Sequence, residues 1–330
     1  MDITPKQRFL SAMNHEKTKD YVAFMELEFQ IYEEYIGKKP IIGSEFGRLT
    51  GKEREMAAYR NAELMIKTAE KAGHDAIRNF GGYWEVAPGE PAYLWLPDED
   101  AQLLQLRMLK KLAGDQYCII GSSSPTMMIP DGNHLVDFVY QLFDEPEDVK
   151  ESLEKQLQSA IEWQKKQLDA GADGIINCGD IAFNSGPFIS PEQCDEFLFP
   201  YMNRWVESLE KEGVFSIWHT DGNIMPIMEQ ILESGVTAIQ CIDPLAGMDI
   251  VELKQMVGDK LTLIGNVNCV DLHLGTPDLI KEQTRQIIEG CKGDGGFILS
   301  ACNSIYKGIS SENYQVVVDA RYCYGKVNEN

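Results

Sequence analysis

Eight short apolar, β-rich runs recur along the chain with helix-like segments between them, and this alternation constrains the fold more than any other feature. The runs are YVAFMEL (21–27), DAIRNF (75–80), YCIIGSS (117–123), DGIINCG (173–179), VFSIWH (214–219), VTAIQC (236–241), LTLIGNVNC (261–269) and FILSAC (297–302). Short apolar runs of this kind suit parallel strands covered on both faces, and helical crossovers between them suit β/α units. The pattern predicts an α/β chain folded as one (β/α)8 TIM barrel over residues 1–330, with an N-terminal helical extension at 4–14. Thr4 reads as the cap of that first helix and Pro5 as its first position. Further helices are predicted over 52–72, 135–143, 146–170, from the Ser190-Pro191 start, and over 311–325. Residues 81–115 are rich in Gly, Pro and aromatics and read as a loop or hairpin insertion over the barrel mouth.

In such a barrel the C-terminal strand ends converge on one mouth, where chemistry is built. Four successive runs end in soft metal-ligand side chains: His219, Cys241, Cys269 and Cys302. Thiolates and an imidazole brought together suit Zn²⁺ in a site with an open position. The remaining cysteines, Cys118, Cys178, Cys194, Cys291 and Cys323, read as packing residues, since free Cys is commonly buried. Asp221, in HTDGN (219–223), can ligate, orient His219, act as a base, or merely cap the next helix. Gly222 relieves a tight turn there. Asp180 is a candidate acid or base, with Phe183 and Asn184 beside it as substrate contacts. Asn266 and Asn303 offer amides to a polar substrate group. Because neighbouring side chains on a strand alternate, Cys302 is expected to face the mouth in preference to Asn303. Glu26, at the end of the first run, could reach the mouth, and Trp84 could wall an aromatic pocket with Trp95.

Composition narrows the partners. The net charge is −22, and no Lys/Arg cluster stands out along the sequence, which argues against nucleic acid and against a polyanionic substrate. No apolar run reaches the ~18 residues of a membrane span. The charged N-terminus lacks a signal-peptide centre, and eight cysteines without a secretory signal fit reduced thiols, so a cytoplasmic protein is expected.

Five stretches carry a resemblance: TPKQRFLSAMNHEKTKD, GPFISPEQCDEFLFPY, HTDGN, GNVNCVDLHLGTPD and FILSACNSIYKGISSENY. With these the chain resembles the uroporphyrinogen decarboxylase superfamily over nearly its whole length. In that superfamily the decarboxylases begin with an arginine-rich substrate loop. The corresponding YVAFMELEFQIYEEYIG has no Arg and several Glu, which sets the decarboxylase reaction aside. The resemblance then implies the corrinoid-dependent methyltransferase branch, and within it the O-demethylase-like group. Cys241 and Cys269 have 27 residues between them, the spacing of the first two zinc ligands in some of that group. This favours Cys241, Cys269 and Cys302 as the zinc set, with His219 or Asp221 as the fourth ligand or a substrate partner. The implied activity moves a methyl group between a small methylated substrate, such as an aryl methyl ether, and the corrinoid (cobalamin) of a partner protein. Transfer from the corrinoid to a thiol, a metal-free decarboxylase or lyase using Asp180 and Asp221, and a non-catalytic binding module are the alternatives. A homodimer is left open.

Overall fold

The computed structural model describes residues 3–81, 85–87, 90–91, 95–130 and 132–327. Eight parallel strands form a nearly closed barrel, one on each of the eight apolar runs, with the fifth strand reaching one residue past its run. They are β1 (Ala23–Phe24), β2 (Ala76–Arg78), β3 (Cys118–Ser123), β4 (Gly174–Cys178), β5 (Phe215–Thr220), β6 (Ala238–Cys241), β7 (Thr262–Val267) and β8 (Phe297–Ala301). Pairing runs continuously from β2 through β8 and on to β1. At the remaining seam a single backbone hydrogen bond, from the Asp75 amide to the Phe24 carbonyl at 2.7 Å, joins β2 to β1. The fold is the predicted α/β TIM barrel.

The first helix, α1 (Pro5–Met13), is held by a reciprocal capping box between Thr4 and Gln7. It closes the N-terminal end of the barrel. Phe9, Ala12 and Met13 pack against the inward residues Met25, Ile120, Ile176, Ile217, Ile264 and Ile298, so the interior is filled rather than hollow. Outside, the helices α4 (Gly51–Ala72), α7 (Pro146–Ala170), α9 (Phe199–Lys211), α13 (Pro277–Cys291) and α14 (Ser311–Tyr324) cover the strands, numbering every α-helix in chain order. Among the described residues no helix is long and apolar enough to cross a membrane.

The segment 81–115 departs from expectation. A small hairpin pairs Glu85–Ala87 with Glu90–Pro91, but α5 (Glu99–Ala113) is a regular helix. Asp98 caps it by accepting from the Ala101 amide, and Leu103, Leu106 and Leu109 form one buried stripe. The Gly/Pro/aromatic composition is concentrated before residue 98, and it masked the helical period after it. Trp84 lies outside the described residues.

One buried ion cluster ties the chain's first and last helices together. Asp75 has no solvent exposure and pairs with Arg8 of α1 and with Arg321 of α14, the latter at 2.9 Å. Its second oxygen also accepts from the Phe24 amide at 2.9 Å. Removing the carboxylate leaves Arg321 without its counter-charge and Arg8 with Asp20 alone, and breaking a buried pair in this way costs ~3–5 kcal/mol. Asp75→Ala is therefore expected to lower the free energy of unfolding by about that amount in denaturant titrations; a loss under ~1 kcal/mol would contradict the role assigned to the cluster.

Candidate active site

The mouth is assembled from the loops after β4, β5, β6 and β8. Trp218 donates its indole N–H to the Gly179 carbonyl at 3.1 Å, and the Ile181 amide donates to Thr220 Oγ1 at 3.0 Å, which locks the loop after β4 onto β5. Gly222 follows with φ +85°, and a Cβ there would come within 2.4 Å of the Ala182 carbonyl oxygen. Only glycine fits both demands, as the HTDGN turn suggested. These contacts bring Asp180, His219 and Asp221 together. One ligand atom from each lies within 4.8 Å of the others, and among the described residues this is the group of His, Cys, Asp and Glu side chains so arranged. His219 Nε2 stands 3.7 Å from both Asp180 Oδ1 and Asp221 Oδ1. Asp180 Oδ1 also accepts from the Asp221 amide at 3.0 Å.

Two amide side chains set the orientation of this group. Gln240, fully buried on β6, donates from Nε2 to the Ala301 carbonyl at 3.1 Å, which turns its Oε1 toward His219 Nδ1. An acceptor there requires Nδ1 to carry the proton. That leaves Nε2 as the ring nitrogen facing the two carboxylates. Asn303 donates to both oxygens of Asp221, at 3.0 and 2.8 Å, and fixes the plane of that carboxylate. Burial raises the Asp221 pKa above the ordinary carboxylate value, opposed chiefly by His219.

Cys241 stands beside the group, its thiol 3.1 Å from Asp221 Oδ1. Burial first, and then the Asp221 charge, push its pKa well up, so the thiol stays protonated and donates to that carboxylate. Its backbone, with φ +105°, and that of Ile242, with φ +51°, occupy a region that non-glycine residues rarely adopt. Such conformations cost ~1–3 kcal/mol each and cluster at functional sites.

The other sequence candidates divide. Cys269 and Cys302 are buried against each other behind the mouth; Cys269 begins a short helix (Cys269–Leu274) instead of ending β7, and its pKa is raised, first by its contact with Cys302. The set Cys241, Cys269, Cys302 and His219 is thus less compact than the Asp180, His219 and Asp221 group, although Cys302 lies near both other thiols. Asn303, not Cys302, reaches the mouth, because β8 ends at Ala301 and strand alternation no longer applies beyond it. Asn266 is spent on the Ile242 carbonyl at 2.8 Å. Phe183 and Asn184 form the exposed tip of a hairpin (Ala182–Phe183 with Gly186–Pro187), and Asn184 reaches only the Leu245 carbonyl, at 3.5 Å.

A cleft of about 590 Å³ opens from Asp180, His219, Asp221 and Asn303. Its far wall carries Ser122, Ser123, Ser124, Gln156, Trp163 and Met128, none of which the sequence singled out. Gln240 was also missed, although a glutamine inside an otherwise apolar strand is a usable signal. Arg78 is the one basic residue among the described lining, and it is held by the Leu27 carbonyl at 3.1 Å and by Glu28 at 3.7 Å.

Glu26 lies outside that lining. It is buried at 5% exposure, and one oxygen accepts from the Ala301 amide at 3.0 Å and from Ser300 at 3.2 Å. Burial raises its pKa to about 8. An acid whose folded pKa exceeds its unfolded value binds more protons in the folded state, so stability falls as pH rises from near the unfolded pKa through the folded one. Wild-type stability relative to Glu26→Gln is expected to drop by several kcal/mol between pH ~4.5 and ~8 and to level off above that. A difference independent of pH across this window would contradict a neutral, buried Glu26.

The family model described as uroporphyrinogen decarboxylase (URO-D) matches residues 104–324. Uroporphyrinogen decarboxylase of Photobacterium profundum is 27% identical over 252 residues, covering 68% of this chain and 65% of that protein. The enzyme of the same name from Pseudoalteromonas translucida is 28% identical over 232 residues, covering 64% and 60%. The chain thus spans less than two thirds of these relatives' lengths. Among solved structures, a methyltransferase from Methanosarcina mazei superposes with a TM-score of 0.74 at 18% identity, over 97% of this chain and 98% of that one. A B12-independent methionine synthase from Shewanella sp. follows with a TM-score of 0.53 at 14% identity, over 83% and 89%. At such identities these likenesses speak for the fold. The matched family model covers well over half of the sequence, and the chain belongs to the uroporphyrinogen decarboxylase family.

Proposed function

We propose that this chain is a zinc-dependent methyltransferase that moves a methyl group between a small methylated substrate and the corrinoid of a partner protein. The observation that carries the reading is the Asp180–His219–Asp221 group with its imidazole tautomer fixed by Gln240. Two carboxylate oxygens and a neutral imidazole nitrogen are a donor set that divalent zinc accepts, with a position left for substrate. Gln240 and Asn303 are the outer partners that such ligands need. Cys241 stands beside this set, where a bound cation would lower its pKa and bring it in as a further donor when the metal expands its coordination. When bound there, the metal would supply Lewis-acid stabilisation of the heteroatom that gives up its methyl.

The chain's own residues do the rest. Trp163, Met128 and the serines at the end of β3 offer a wall for a small, largely uncharged molecule, with its reacting end at Asp180 and Asp221. Glu28, Glu99, Asp180 and Asp221 outnumber the single Arg78 in that cleft, which disfavours a polycarboxylate such as a porphyrinogen. A nitrogen- and oxygen-rich set preserves more Lewis acidity than three thiolates, and it suits an ether or amine donor better than a thiol acceptor. Exposed Met128, Phe183, Met225 and Leu245 ring the mouth and give a corrinoid protein an apolar landing surface. A second reading, acid–base decarboxylation or lyase chemistry without a metal, draws on the raised pKa of Asp221, which fits a proton carrier.

Metal analysis of protein produced with zinc in the medium tests the proposal. About one zinc per chain is expected, with His219→Ala and Asp221→Ala binding it at least ~10-fold more weakly and Cys269→Ala retaining it. Stripping the metal with a chelator should abolish methyl transfer from a methoxylated aromatic to a Co(I) corrinoid protein, and zinc should restore it. Full zinc content in both His219→Ala and Asp221→Ala would overturn the assignment, and turnover by the metal-free protein would favour the second reading.

A further inference from the structure

On the outer wall of the barrel, away from the mouth, the loop after β1 lies against α4 and leaves a cleft of about 400 Å³. It is lined by Lys38, Lys39, Arg60 and Lys67, with one carboxylate, Glu63, and with Ile41 and Leu64 as its apolar floor. In a chain with 52 acidic and 30 basic residues, a concave group of four cations around one carboxylate runs against the overall charge. Here Lys39 pairs with Glu33 at 2.9 Å, while Lys38, Arg60 and Lys67 have no ion-pair partner among the described residues.

The cleft is built, not incidental. Asn61, 1% exposed on α4, grips the loop in both directions: the Ile41 amide donates to its Oδ1 at 2.8 Å, and its Nδ2 donates to the Ile41 carbonyl at 2.7 Å. Lys71, one turn beyond Lys67 on α4, donates to the Tyr35 carbonyl at 2.6 Å and caps the Tyr35 ring. The loop lysines are therefore held facing Arg60 and Lys67, which sit seven residues apart on one helical face. Their mutual repulsion is unfavourable unless an anion occupies the space between them.

We propose that this cleft binds a small phosphorylated ligand, with phosphate oxygens taken by Lys38, Arg60 and Lys67 and a less polar portion resting on Ile41 and Leu64. Lysine and arginine donors on a concave surface suit phosphate, and Arg60 adds a planar fork. The site is independent of the methyl-transfer reading, because it shares no residue with the mouth.

Calorimetric titration of the full chain with inorganic pyrophosphate tests it. Saturable binding at one site is expected, weakening as salt rises. Lys38→Ala combined with Arg60→Ala should weaken it by about tenfold or more. Lys155→Ala, on the remote helix α7, serves as the charge control and should leave it unchanged, and the Tm without ligand should be the same in all three proteins. ADP in place of pyrophosphate should bind at least as tightly through the Ile41–Leu64 floor. No saturable binding, or an equal loss in Lys155→Ala, would overturn the proposal.

Discussion

The architecture depends on a buried carboxylate. Asp75 sits where β2 must meet β1, the one junction of the barrel without a ladder of strand pairing. It converts that weak point into a fixed one by engaging Arg8 from the first helix, Arg321 from the last, and the Phe24 amide from β1. A buried ion cluster adds little net stability over apolar packing, but it specifies which elements meet. Here it joins the chain's first and last helices at the N-terminal face. The opposite face, with its strand ends at set spacing, is then free to carry loops.

At that face the same logic recurs in neutral form. The two side chains that orient the candidate site, Gln240 and Asn303, are amides; each can satisfy several partners without bringing another charge into a partly buried space. His219 is thereby held with Nε2 toward Asp180 and Asp221. The backbone at Cys241 and Ile242 is held in a left-handed conformation where β6 meets this group, so the thiol can reach Asp221.

The barrel was legible because parallel strands covered on both faces leave compact apolar runs, and all eight runs contain a strand. The site was only partly legible. His219, Asp221, Asp180 and Asn303 were named and do converge, since they follow strand ends directly. The thiols were less legible, because strand-end position says nothing about what a side chain faces once the strand stops: Cys241 reaches Asp221, whereas Cys269 turns into a helix and meets Cys302. Helix α5 was hidden by the composition of its flank. The cationic cleft left no trace in the sequence, because Lys38 and Arg60 are far apart in the chain and only the Asn61 clamp on Ile41 brings them together.

The claim that matters most is the identity of the donors at the mouth. X-ray absorption at the zinc edge, on protein loaded with one equivalent of zinc, reads those donors directly, because Zn–S bonds are near 2.3 Å and Zn–N and Zn–O bonds near 2.0–2.2 Å. The account predicts a shell dominated by nitrogen and oxygen with at most one sulfur, that of Cys241. A shell of three sulfurs would move the metal to Cys241, Cys269 and Cys302 and contradict it.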